Sequence, residues 1–452
     1  MGGFFSIFVQ SWFCSFLTSN PKSTFTVLTL TPSSRNLNFG PVRPQLPKFL
    51  NFVFPINNPQ SLTRKTLTVS SSHLRNLKLH SSQVEVVFSI LSLDILPEIP
   101  QMALEFGAAR RMVSLLVATT ADPASIGPAS ALLALSSTPS WSNGPQIQGN
   151  RSYAAGRVRL LQLNDRIVNE DHLEKRWEAV TGERVEEIIF LSRHTAVSNR
   201  PALTVHPIGI PHLLPHEVPP AGGRPGWAAP PCPRIGPWLR LLQKVAVSHN
   251  LVPEFEVTLE GTHHGPETNV PAMFVEIGST EDYWGRQDAA NVVAEVVREG
   301  LGLDGGPGVG EWSSAQAGAK VLVGLGGGHY APRHMDVVLK GGVWVGHLLS
   351  GYSLPMVEPS KEVGAGKNNA SVNYSTVGGS WKEAITEAVK TTRAAFPDGE
   401  LLVHLDSKSL KSWQRNAITS FLAQERIPNE NEATEEEVVL EAGLRMKLGS
   451  TE

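Results

Sequence analysis

Cysteine is almost missing from this chain: Cys14 and Cys232 are the two in 452 residues. That excludes a disulfide scaffold, and no CxxC pair offers thiolates for zinc or redox chemistry. No run of eighteen clean apolar residues occurs, so neither a transmembrane helix nor a membrane partner is expected. Acidic side chains are absent from the first 84 positions, where eight Lys or Arg stand unopposed. HExxH and GxSxG are missing too, which removes the usual support for zincin and α/β-hydrolase readings.

What is present reads as globular. Apolar residues make up 41% and charged residues 18%, and the length allows two or three domains. The net charge of −3 hides an asymmetry: +8 over residues 1–84, −5 over 425–452 and about −6 over the remainder. No global basic field marks the core as a nucleic-acid binder, so a local patch must do that work. Residues 1–111 are set apart as an N-terminal extension. Its Ser, Thr, Asn and Pro with scattered bases fit an organellar transit peptide. An over-extended gene start fits equally, with Met102 and Met112 as later starts. Residues 112–425 form the expected globular domain, and 426–452 an acidic, mobile tail.

Within the domain the pattern alternates. Strands are expected at 113–118, 159–163, 185–191, 254–260, 272–277, 320–325 and 401–405. Helices are expected after Asp122-Pro123, at 170–180, 238–249, 381–395 and 409–424, and from a Ser279-Thr280 cap to about Leu301. Residues 207–237, crowded with Pro and Gly, predict a long surface excursion, and 303–318 and 357–380 predict loops. Such alternation implies an α/β sheet with helices on both faces.

Twelve of the fourteen histidines follow Met112, and they gather at strand ends and in Gly/Pro loops. Ligands in open α/β sheets bind beyond strand carboxyl ends, so this placement favours a site. Gly261-Thr262-His263-His264-Gly265-Pro266 follows a strand; it is either a site or a polar turn with two surface imidazoles. Gly326-Gly327-Gly328 turns the chain and delivers His329 and His334, with Arg333 suited to a phosphate. Neutral imidazoles suit zinc. Arg193, His194, Asn199 and Arg200 make the best positive patch of the core, with His206 following; a solvent loop is the alternative. His404 and Asp406 share one face of the last strand, as metal ligands or beside a helix cap. Glu276 sits inside an apolar strand and needs a partner if buried; a metal, a general-base role or an edge salt bridge would supply one. Spacing alone indicates a His-rich metal hydrolase.

Together these segments resemble the archaeal and plant type of D-aminoacyl-tRNA deacylase, a zinc-dependent family. The resemblance is carried by Leu116-Val117-Ala118-Thr119-Thr120-Ala121-Asp122-Pro123-Ala124-Ser125, Phe190-Leu191-Ser192-Arg193-His194 through Pro201, and His206-Pro207. It continues through Thr262-His263-His264-Gly265-Pro266, Glu276-Ile277-Gly278-Ser279-Thr280, Gly326 through His334, Gly346-His347 through Tyr352, and His404-Leu405-Asp406. It spans about Met112 to Glu425.

The resemblance implies a three-layer α/β/α fold with a central mixed sheet, similar to peptidyl-tRNA hydrolase. It implies hydrolysis of the ester joining a D-amino acid to the terminal ribose of tRNA, including aldehyde-modified D-aminoacyl-tRNA. Zinc is the implied cofactor, with His263, His264, His329, His334 and His404 as candidate ligands. Glu276, His329 and Asp406 are the candidate catalytic groups. Arg193, His194, Asn199, Arg200 and Arg333 would meet the acceptor end, and Gly327 and Gly328 would offer backbone N–H groups to an oxyanion. The expected partner is the 3′ acceptor end of D-aminoacyl-tRNA, with no stable protein partner. The expected location is cytoplasmic with nuclear access, or a plastid or mitochondrion if the extension is real. Rival readings are a peptidyl-tRNA hydrolase-like or metal amidase activity, a non-catalytic RNA-binding module and, more remotely, a nucleoside phosphorylase-like activity.

Overall fold

The computed structural model describes residues 111–137, 139–358 and 376–428, with the strand backbone of four short segments before them. The chain divides into two units, Met1–Ala108 and Ala109–Glu452. In the first, Thr26–Thr29 (β1) pairs antiparallel with Glu85–Phe88 (β4), and Phe49–Pro55 (β2) with Arg64–Ser70 (β3). Most residues of the expected extension, and the acidic tail beyond Pro428, lie outside the described residues.

The second unit opens with Met112–Thr119 (β5), whose eight residues are buried after the first. Pro123–Ala134 (α1) follows at once. Asp122 caps it by accepting from the Ala124 amide at 3.0 Å, and Pro123 occupies the first turn, where no N–H is needed. Ser142–Asn143 (β6), Arg151–Ala155 (β7) and Val158–Leu163 (β8) form a meander. Leu173–Thr181 (α2) then leads into Arg184–Arg193 (β9) and Ala202–Pro207 (β10). Ile235–Ser248 (α3), Glu256–Leu259 (β11) and Ala272–Gly278 (β12) come next. Glu281–Trp284 (α4), Gln287–Gly300 (α5), Lys320–Leu325 (β13), Pro332–Leu339 (α6) and Val343–Leu349 (β14) follow. Trp381–Ala395 (α7), Glu400–Leu405 (β15) and Ser412–Gln424 (α8) close the unit.

Eight strands make one mixed sheet in the order β11-β10-β12-β9-β5-β8-β7-β6. The central four, β12, β9, β5 and β8, run parallel; β10 is antiparallel to β12, and β7 to β8. Alternation along β5 divides the core. Leu116 and Ala118 face α1, α3 and α5, while Val113, Leu115 and Val117 face Trp177 of α2 with Phe190 and Phe274. Helices therefore cover both faces. A second sheet, β14-β13-β15, is wholly parallel. Its Val323, Leu325, Val403 and Leu405 pack on Trp381 and Ile385 of α7 and Ile418 and Leu422 of α8, while Leu322, Val345 and Leu348 join the main core. Among the described residues no helix is long and apolar enough to cross a membrane.

Three expectations need correction. The helix expected from Ser279-Thr280 to Leu301 is broken at Gly285-Arg286. Extended Arg286 is held there by Glu254 and Asp288, each at 2.7 Å, and the Thr280 hydroxyl bonds Asn199 instead of capping α4. The excursion at 207–237 is not all surface. Ile208, Trp227 and Ala229 are buried on the same sheet face as Trp177 of α2, Cys232 joins the core on the other face, and Ile210 is buried as well. Finally, β7, β10, β14 and α6 were not anticipated; β10, paired on both sides, and β14, at the edge of its sheet, are short strands whose sequences carry His206 and His347 among apolar residues.

Candidate active site

The parallel strands deliver chemistry at their carboxyl ends. β9 ends at Arg193, with His194 next, and β12 carries Glu276 near its end. Antiparallel pairing sets Thr204 opposite Glu276 and His206 opposite Phe274, so His206 and Glu276 are diagonal neighbours on one face. β11 brings in Glu260, whose amide bonds the Val205 carbonyl. The next turn presents His263 and His264. It depends on Gly265, since a Cβ there would lie 2.1 Å from the Gly223 amide nitrogen. Gly326 and Gly327, both at positive φ (96° and 86°), turn the chain after β13 and bring His329 over Glu260.

Glu260 is the centre. It is fully buried, with its Oε2 2.8 Å from His329 Nε2 and 3.6 Å from His263 Nε2, and its Oε1 3.2 Å from His194 Nδ1. Glu276 stands 3.7 Å from His194 and 3.8 Å from His206 Nε2. The imidazole rings of His206, His263 and His264 lie 4.1–4.9 Å apart. Despite this crowding, both Glu260 oxygens, Glu276 Oε1 and His206 Nε2 are buried without an aligned hydrogen bond. Such orphans are costly unless something else binds them.

The outer nitrogens explain what that is. His206 Nδ1 donates to the Pro207 carbonyl (3.0 Å), His263 Nδ1 to Gly261 (2.8 Å) and His264 Nδ1 to Gly265 (2.9 Å). A carbonyl can only accept, so each Nδ1 holds the proton and each Nε2 keeps its lone pair for the interior. His194 Nε2 meets the Tyr330 hydroxyl at 2.9 Å, and His329 Nδ1 the Tyr352 hydroxyl at 3.1 Å. Burial, reinforced by neighbouring imidazoles, pushes His263 well below its usual pKa and His264 to about 4, so both are neutral imidazoles at neutral pH, the form that can ligate a metal. Burial opposes charge on His194 and His206, but Glu260 and Glu276 respectively outweigh it and raise them. Burial likewise works against ionised Glu260, yet His194 and His329 hold it well below the carboxylate range.

Among the described residues three triads each have ligand atoms within 4.8 Å of one another: His206, His263 and His264; His194, Glu260 and His329; and His206, Glu260 and Glu276. Imidazole nitrogen with carboxylate oxygen is a donor set that zinc accepts, and the orphaned atoms fit a bound cation. The cluster opens on a cavity of about 460 Å³ lined by His194, His263, His264, Glu276 and His329, with Arg166, Arg193 and Asp122 among the other lining residues.

A family model described as D-aminoacyl-tRNA deacylase matches residues 181–429. A protein of that name from Arabidopsis thaliana is 60% identical over 317 residues, covering 70% of this chain and 97% of that protein. The chain belongs to the D-aminoacyl-tRNA deacylase family. A namesake from Pyrococcus horikoshii is 33% identical over 212 residues, 46% of this chain and 71% of that protein. A crystal structure described as a conserved protein of unknown function shares the fold with a TM-score of 0.54 at 25% identity, covering 71% of this chain and 95% of that one.

Within this deacylase-family fold, the residues singled out from sequence separate into two groups. His263, His264, Glu276 and His329 converge, and His194, expected at the acceptor end, stands against the two carboxylates. His334 and His404 meet each other instead, Nδ1 to Nδ1 at 2.6 Å, and Arg333 Nε meets Asp406 at 2.8 Å. The Gly327 amide, expected to be open to an oxyanion, donates to Ser409 Oγ at 2.7 Å. Gly328 precedes His329 in the same turn. Arg200 is largely exposed, 3.5 Å from Glu256, and Asn199 holds the Thr280 hydroxyl. Sequence reasoning passed over Glu260, Tyr330 and Tyr352, and left His206 outside the ligand set. Glu260 had a readable signal akin to the one that singled out Glu276: a carboxylate next to the apolar residues of a strand.

Proposed function

We propose that this chain hydrolyses the ester of D-aminoacyl-tRNA, giving free tRNA and the D-amino acid, with zinc held in the Glu260 cluster. One observation carries the reading: a buried carboxylate ringed by imidazoles, of which His263 and His264 keep a proton-free Nε2, opening on a cavity with guanidinium groups. His206, His263 and His264 are the residues that would hold the ion, with Glu260 beside them. Bound zinc supplies Lewis acidity that brings the pKa of water to about 7. Glu276, which lines the cavity with Oε1 unpartnered, accepts the proton of the attacking water and returns it to the departing ribose oxygen. Arg193 lines the same cavity and receives the acceptor end.

The test is release of D-Tyr and L-Tyr from tRNA by the full-length chain, with and without a chelator, alongside metal analysis of the purified protein. The expected result is chelator-sensitive release from the D-ester alone, with zinc bound. Equal cleavage of both esters, or none, overturns it; cleavage of N-acetylated aminoacyl-tRNA would favour the amidase rival. We place the protein in the cytoplasm, and plastid or mitochondrial fluorescence from a full-length C-terminal fusion would refute that.

A further inference from the structure

The cavity is lined by more than the histidines and carboxylates of the cluster. Arg166 follows β8, Asp122 follows β5 and Arg193 closes β9, and these neighbouring strands are parallel, so all three residues emerge on one side of the sheet. Arg193 is fixed from two directions. Its Nε lies 3.6 Å from Asp122 Oδ2, and its guanidinium stacks 4.7 Å over the Trp284 ring. The Trp284 indole is itself tied to the His194 carbonyl at 2.9 Å. Held through Nε and its face, the guanidinium has its two terminal nitrogens left to donate. Asp122 Oδ1 already caps α1, so an anion here is left to the arginines. With Arg166 beside them, two guanidinium groups stand against one carboxylate, a local positive charge in a core region of about −6.

We propose that Arg166 and Arg193 form the pocket for one RNA phosphate, the one linking the terminal nucleotide of the acceptor end to its neighbour. This rests on the deacylase reading, which puts the terminal ribose ester at the histidine wall of the same cavity. The next negative charge along the RNA is that phosphate, and a stacked, pre-oriented guanidinium suits its paired oxygens. Arg166 is the new residue here, a substrate-binding group that makes no contact with the reacting atoms.

The test measures binding by the full-length chain of uncharged acceptor-stem RNA, with either a normal or a neutral methylphosphonate final linkage. Wild type is expected to lose about tenfold in affinity on that neutralisation. Arg166→Ala and Arg193→Ala should each bind the normal RNA about tenfold more weakly, be nearly indifferent to the neutral linkage, and lower the salt slope by about 0.7. Lys244→Ala, far along α3 and 3.5 Å from Glu299, should change neither. In turnover the two arginine variants should raise KM about tenfold with kcat kept. Full sensitivity of Arg166→Ala to the neutral linkage overturns the pocket even if wild type deacylates. Loss of that sensitivity with no deacylation by wild type upholds the pocket and overturns the deacylase reading.

Discussion

Glu260→Gln isolates the feature on which the site depends. The amide keeps the carboxylate's shape at a fully buried position and removes its charge. At 3.2 Å from His194 and an effective dielectric near 20, the gross attraction lost is about 5 kcal/mol, with the 2.8 Å His329 contact adding to it. Breaking one side of a buried pair costs about 3–5 kcal/mol when the other charge is stranded. Here it is not stranded: Glu260 is what raises the pKa of His194, and without that carboxylate burial favours the neutral imidazole. The variant therefore folds at neutral pH, and the effect appears in metal binding. Replacing an anion by a neutral amide among the ligands should weaken zinc affinity at least about a hundredfold, or about 2.7 kcal/mol. Competition against a chelator of known affinity reads this directly, and zinc-linked stabilisation in thermal melts should shrink by the same free energy. A dissociation constant within threefold of wild type, with wild-type melting in the absence of metal, refutes the reasoning.

Other consequences can be checked separately. Glu276→Gln should lower the deacylation rate constant by about a hundredfold or more, while Asp406→Asn, engaged by Arg333, should keep it within about fivefold; the reverse ranking would reinstate Asp406 as the base. Burial pulls His347 down to about 4 from 6.5, held between Thr262 and the Ala229 carbonyl. Its unfolded form binds the extra proton, so stability present above pH 6.5 is lost as pH falls towards 4, by about 3 kcal/mol. Urea midpoints of His347→Asn should show a shallower acid dependence, by nearly one proton. Gly265→Ala should destabilise by about 2 kcal/mol or more and loosen zinc, because its methyl would collide with Gly223 backbone; unchanged urea midpoints would refute the close approach.

Much of the fold was legible locally. β5 is apolar but for Ser114 and the final Thr119, Asp122-Pro123 is a helix start that needs no tertiary information, and α7 has helical periodicity to its end. Elements whose burial comes from distant neighbours were not legible. β10 is six buried residues including Thr204 and His206, and its pairing with β11 and β12 makes it a strand. The break before α5 depends on Glu254, which reaches Arg286 from 32 residues upstream.

The site follows the same division. Residue type and strand-end placement were enough to nominate His263, His264, Glu276 and His329, because buried carboxylates and clustered imidazoles are rare without a purpose. Which histidines meet was decided elsewhere. His329 and His334 are five residues apart and read alike, yet the Gly326-Gly327 turn sends His329 to Glu260, while α6 carries His334 to His404. Sequence carries the propensity of each residue for water, helix or metal, and those properties are local. Convergence on Glu260 is set by strand order and register, which join residues 194, 206, 260 and 329 through pairings no single segment encodes.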